Sequence, residues 1–186
     1  ATEQYNMTFE GVFFKVMNDI DCAGDTSFGG IAADGVTGHE FSGTFDGAGH
    51  VIDNVVINKV KYDATGKAQS SGSTQYAGFI GRLNAKGTIK NLTLGKGCRM
   101  TFWSNSGAIS GFAAGRIENC VFQGSVDGMS TYIAGIAGAL QSTGIVTGCR
   151  NDGTIRGGLN YVAGIVANNG NVVEYCLNNG TVIGDS

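Results

Sequence analysis

Proline is absent from this 186-residue chain and leucine occurs only six times. No stretch approaches the roughly eighteen apolar residues that a membrane-spanning helix needs. Charge is also scarce: Asp, Glu, Lys and Arg make up 15% of the residues. The formal net charge of −3 argues against a general nucleic-acid binder, which is normally basic. Low charge does not mean disorder here, because hydrophobic residues reach 42% and disordered chains lack them. The shortage of leucine excludes a leucine-rich repeat. No signal peptide is recognisable, and the chain opens at Ala1 rather than Met, as expected of a mature or excised segment of a longer protein.

What is abundant points to strands. Ile and Val together number 29 and glycine 32. β-branched side chains favour strands, and glycine at this density punctuates them with turns. The chain is long enough for one domain with a sizeable core. The five cysteines, Cys22, Cys98, Cys120, Cys149 and Cys176, are odd in number and cannot all pair within one chain. They have no CxxC spacing, and His39 and His50 lie far from most of them, so neither a metal site nor a cofactor is expected.

The cysteine spacing belongs to an internal repeat. Four segments align: Tyr76–Gly81, Ile109–Ala114, Ile133–Gly138 and Val162–Ala167, with glycine third (Gly78, Gly111, Gly135, Gly164) and a large apolar residue fourth. A second column reads Ile89-Lys-Asn-Leu92, Ile117-Glu-Asn-Cys120, Val146-Thr-Gly-Cys149 and Val173-Glu-Tyr-Cys176, with Ile52-Asp-Asn-Val55 as an earlier copy. Six residues after each of the later copies comes a further apolar position: Cys98, Val126, Ile155, Val182. Leu92, Cys120, Cys149 and Cys176 are separated by 28, 29 and 27 residues.

This pattern predicts an all-β, single-stranded right-handed parallel β-helix. Its coils are about 27–29 residues long, each contributes three short strands, and equivalent positions stack about 4.8 Å apart. A sandwich would need hairpin turns and no column-by-column repeat. The cysteines then read as mostly free thiols in an inward ladder beside Leu92 and Val55. Asn54, Asn91, Asn119, Gly148 and Tyr175 occupy the residue before that ladder. Asn and Gly enter the left-handed region most readily, so a sharp bend is expected there, with Asn side chains bonding up the stack. Tyr175 departs from the pattern.

The segments Val12–Cys22 and Phe41-Ser-Gly-Thr-Phe-Asp-Gly-Ala-Gly-His50 resemble the opening coils of pectin-lyase-like surface proteins of gut and oral bacteria. The later Ala-Gly-Phe/Ile repeats are similar to the GLUG motif of the same proteins. The resemblance implies a secreted or cell-surface bacterial protein, often one module of a longer chain, without a single defined activity. It frames the chain as one β-helix domain over 1–186. Residues 1–60 form opening coils or a cap, 61–75 a loop insertion, and 76–186 four GLUG-like coils. Residues 23–40 and 99–106 also stand outside the repeat. No cap is evident after Val182, so the carboxy end is expected to continue into a neighbouring domain or to form a weak dimer through end coils.

Candidate chemistry is thin. Asp46-Gly-Ala-Gly49 is a turn sequence, with a carboxylate cluster of Asp19, Asp21 and Asp46 as its rival reading; Ca²⁺ would need six to eight oxygen ligands. His50 flanks the turn. The candidate ligand contacts are aromatic: Phe102 and Trp103 in the stretch outside the repeat, and Tyr132 and Tyr161, equivalent positions expected to stack on one outer face. Such a platform suits a sugar ring or a protein hot spot. The expected function is a non-catalytic binding or structural module, adhesin-like, with a glycan or a surface protein as partner. The alternative is a polysaccharide lyase or glycoside hydrolase of β-helix type, which would need paired carboxylates or a metal-assisted base. No catalytic residue is assigned.

Overall fold

The computed structural model describes residues 8–34 and 36–184; Ala1 and Ser186 lie outside that range. The chain is an all-β parallel β-solenoid of about six turns, and the described residues contain no helix. Each full coil places strands on five faces rather than the three expected; the coil from Arg116 to Leu140 has Arg116–Glu118, Val121–Phe122, Ser125–Gly128, Ile133–Ala134 and Ala137–Leu140.

The first face stacks Phe13–Lys15, Thr44–Asp46, Thr88–Lys90, Arg116–Glu118, Ile145–Thr147 and Val172–Glu174 in parallel. Its middle positions, Phe45, Ile89, Ile117, Val146 and Val173, point inward, and Ile89, Ile117 and Val146 are fully buried. Alternation within a strand sends the flanking residues outward. Burying each of these β-branched side chains contributes roughly 1.5–3 kcal/mol.

One outward column of this face is Lys15, Asp46, Lys90, Glu118, Thr147 and Glu174. Its charge alternates over the first four rungs. Lys90 Nζ lies 3.6 Å from Asp46, and Thr147 donates to Glu174 over 3.4 Å. Opposite charges on neighbouring rungs favour this register, and like charges would oppose it.

The bends before the cysteine ladder form at all four rungs, on Asn or Gly in the first three and on Tyr175 in the last. Asn91, Asn119, Gly148 and Tyr175 have φ of 50°, 51°, 64° and 53°. Gly148 is further constrained because the Asn119 amide occupies the space a β-carbon would need. The asparagines of this column do not ladder with one another; Asn91 donates to Asp46 Oδ1 at 3.0 Å instead. An asparagine ladder exists in a different column, on the second face, where buried Asn151 donates to Asn178 Oδ1 over 2.7 Å. Gly135 and Gly164 are glycines partly because Asn151 and Asn178 project into the space where their β-carbons would lie.

Leu92, Cys120, Cys149 and Cys176 do form one inward column, set by the pairing of Thr93, Val121, Arg150 and Leu177 that follow them. All five cysteines are free thiols. Each sulfur of the ladder contacts a carbonyl of the coil before it, Cys120 with Ile89 at 3.8 Å and Cys149 with Ile117 at 3.7 Å.

Three sequence alignments are corrected by the pairing. Gly111 stacks on Gly138, as Ser110 pairs with Ala137 and Phe112 with Ala139, so the partner of Ile133 is Ser106 rather than Ile109. Small residues recur at three-residue intervals here, which makes a slip by three easy in sequence and impossible in the packed coil. Next, Ile52 pairs with Leu94 and Ile20, which places Ile52–Val55 one corner beyond the Ile89–Leu92 column. Thr44–Asp46 is the true earlier copy, and its bend falls on Ala48 (φ 53°). Asn54 bends too (φ 55°) but at the following corner, and Val55 stands beside Cys98 because Val56 pairs with Arg99. Finally, Met100, not Cys98, joins Ile57, Val126, Ile155 and Val182. The turn Gly95-Lys96-Gly97 lengthens that coil by two residues and moves Cys98 off the column.

Two of the stretches set apart in sequence are structured. Arg99–Phe102 and Ser106–Gly107 are strands of the third and fourth faces. Residues 61–75 leave the solenoid as an antiparallel hairpin in which Lys61 pairs with Gln69 and Tyr62 with Ala68. Asp63 closes its turn by accepting from Thr65 and Lys67 at 2.9 and 3.0 Å. In the 23–40 segment, Ile31 bridges to Ile80.

Candidate functional site

A corner position ahead of the fourth face gathers the most distinctive surface chemistry. Tyr76, Asn105, Tyr132 and Tyr161 stand in successive coils, all left-handed, with φ of 56°, 49°, 58° and 59°. The pairing of Ile133 with Val162 puts the preceding tyrosines side by side. Their rings are stacked, centroids 4.7 Å apart and planes 5° apart. That separation matches the rung spacing of the solenoid, so the backbone itself sets the stacking distance. Tyr161 is 61% exposed and Tyr132 half-buried. Asn105 ends the stack on the amino-terminal side. A tyrosine in the left-handed region is strained relative to Asn or Gly, and strain of this kind concentrates at sites held for use.

Tyr76, one coil earlier, has a different environment. It meets Phe112 edge-to-face at 5.4 Å, and the Arg82 guanidinium lies over both rings, 4.9 Å from the Tyr76 centroid and 4.2 Å from that of Phe112. Arg82 is buried and pairs with Glu40 at 3.2 Å. This cluster pins the segment before Phe41 onto the fifth face. Nothing in the sequence linked positions 40, 76, 82 and 112; only the coil register brings them together.

Of the four aromatic candidates, the structure unites Tyr132 and Tyr161 and separates the others. Phe102 is completely buried, on the inward column of the third face where Gly128 and Gly157 follow. It covers the core, as aromatic residues at a corner can. Trp103 is half-buried and lies in the coil preceding the tyrosine pair.

The carboxylates near the amino-terminal end are occupied by turns. Asp19 accepts from Val51 N–H at 2.9 Å and contacts His50 Nδ1 at 3.1 Å. Asp21 accepts from Asn54 Nδ2 and Ala23 N–H, both at 2.8 Å. Asp46 accepts from Ala48 N–H at 2.8 Å and from Asn91. These bonds hold the carboxyls below their usual range: the Val51 amide foremost for Asp19 and the Asn54 side chain foremost for Asp21. At Asp46, burial pushes upward, and the Asn91 and Ala48 bonds with the Lys90 charge outweigh it. Among the described residues, no three His, Cys, Asp or Glu side chains converge in a metal-binding arrangement. The notable surface chemistry is therefore the aromatic step of Tyr132 and Tyr161.

Fold and register define a β-solenoid repeat protein. Over 146 residues, 74% of this chain, it is 31% identical to halomucin of Haloquadratum walsbyi. The chain spans about 2% of the length of that protein. No family model matches the chain, and no solved structure does. No helix of the described residues is long and apolar enough to cross a membrane.

Proposed function

We propose that this chain is a non-catalytic binding module of a secreted or cell-surface protein, and that the Tyr132–Tyr161 step is its ligand contact. The observation that carries the reading is the parallel stack of two tyrosines, one of them 61% exposed, at left-handed backbone positions. The two parallel rings turn their faces to each other, so the outer face of the exposed Tyr161 ring, backed by Tyr132, is a flat, amphipathic surface with little rotamer freedom to lose on binding. A pyranose ring lies against such a surface through its C–H face while its hydroxyls remain solvated. The similarity to halomucin supports a surface role.

The test is a glycan array on the purified domain, followed by titration of any hit against Tyr161→Ala and Tyr132→Ala. Loss of binding in both variants, with unchanged far-UV circular dichroism, supports the reading. Binding that persists at full strength in both variants sinks it, as does reproducible turnover of a polysaccharide.

A further inference from the structure

The two ends of the first face match each other, which carries an inference beyond ligand binding. At one end, among the described residues, Phe13–Lys15 is the outermost strand and pairs only with Thr44–Asp46. At the other, Val172–Glu174 is outermost and pairs only with Ile145–Thr147. Among the described residues, each strand leaves one row of backbone N–H and C=O groups unpaired, a template for strand addition. Both are apolar where the interior strands of this face are buried or screened: Phe13 is 56% exposed and Val172 40%. Phe9 packs on Phe14 at 5.5 Å yet leaves Phe14 36% exposed. Phe13, Phe14, Met17, Ile20 and Phe45 line an open groove of about 750 Å³ at this end.

We propose that a second copy of this chain docks head to tail, its Phe13–Lys15 strand adding in parallel to the Val172–Glu174 strand of the first. The register that builds the first face within one chain then sets Phe13 beside Val172, Phe14 beside Val173 and Lys15 beside Glu174. The inward and outward positions coincide, and the facing charges are opposite. The junction restores the sign alternation seen at Lys15–Asp46–Lys90–Glu118. The second face adds no comparable match, since Ile20 would meet Asn178, so specificity resides in the first. A heterologous contact of this kind does not close on itself and propagates into filaments.

Sedimentation of the whole chain from micromolar to millimolar concentration tests this. The expected result is a weight-average mass that rises past the dimer. Glu174→Lys and Lys15→Glu should each weaken association by about tenfold or more, because like charges then face each other. Mixing the two variants should restore it, since both junctions in the mixture pair opposite charges. Glu174 is an end-strand residue whose side chain hydrogen-bonds only Thr147 among the described residues, so its variant keeps the fold and carries the test alone if Lys15→Glu, beside Asp46, fails to fold. A wild type that stays monomeric, association that stops at a dimer, or Glu174→Lys assembling like wild type each overturns the proposal.

Discussion

The side chain of Ile133 fills the space that a side chain at Gly128 would need. One coil earlier the same two positions are Phe102 and Ser106, and one coil later Gly157 and Val162. The large residue thus changes sides between the first of these coils and the next, and in each coil one bulky side chain fills the space, as close packing demands.

This exchange predicts strong coupling. Gly128→Phe alone overpacks the layer and should cost about 1–3 kcal/mol or more. Combined with Ile133→Ser, it reproduces the Phe102–Ser106 arrangement, and the pair should recover at least about 1 kcal/mol relative to additivity. Urea unfolding of the four proteins of the cycle measures this. Strict additivity would show that the two positions do not share one space.

Tyr175 holds φ at 53° and is 86% exposed, in the column where earlier coils use Asn91, Asn119 and Gly148. Little packing compensates a left-handed conformation that disfavours ordinary side chains by about 1–2 kcal/mol. Tyr175→Asn should therefore stabilise the fold by roughly 0.5–1 kcal/mol, read as a rise in thermal midpoint at low protein concentration. Unchanged or lower stability would mean that the tyrosine ring contributes packing of its own.

The thiols make stability fall in alkali. Burial pushes the Cys98 thiol up from an ordinary value near 9 to about 11. The adjoining Cys120 thiol, with burial, pushes Cys149 up to about 12. Below pH 9 both thiols are protonated in the folded and the unfolded chain, and their contribution is fully present. Above it the unfolded chain releases protons that the folded chain retains, so stability declines until the pH passes the folded values near 11 and 12. The loss should be on the order of a few kcal/mol per thiol, and Cys98→Ala with Cys149→Ala should flatten the alkaline limb. Labelling by a thiol reagent at neutral pH should modify Cys22 and Cys176 first, since Cys98, Cys120 and Cys149 are buried. Equal labelling rates for all five would contradict this ladder.

Half of the candidate site was legible in the sequence. Tyr132 and Tyr161 precede the equivalent residues Ile133 and Val162, and counting the repeat was enough to place them together. Phe102 and Trp103 lacked such a guide. Their stretch was read as lying outside the repeat because the longer turn at Gly95–Gly97 displaces it by two residues. The Arg82–Glu40 pair left no signal at all, since a contact across 42 residues follows from coil register and not from any local pattern.

The sequence by itself determined the period, the inward Ile/Val and Cys columns and the left-handed bends at Asn91, Asn119 and Gly148. Those features rest on local preferences: β-branched residues for strands, and Asn or Gly for positive φ. The tertiary structure alone decided which glycine stacks on which, that Met100 rather than Cys98 continues the Val126 column, and that Phe102 belongs to the core. These outcomes depend on the volume available in each layer and on corner lengths that vary by one or two residues. A repeat of small and β-branched side chains tolerates several alignments on paper, and only simultaneous packing and strand pairing selects one.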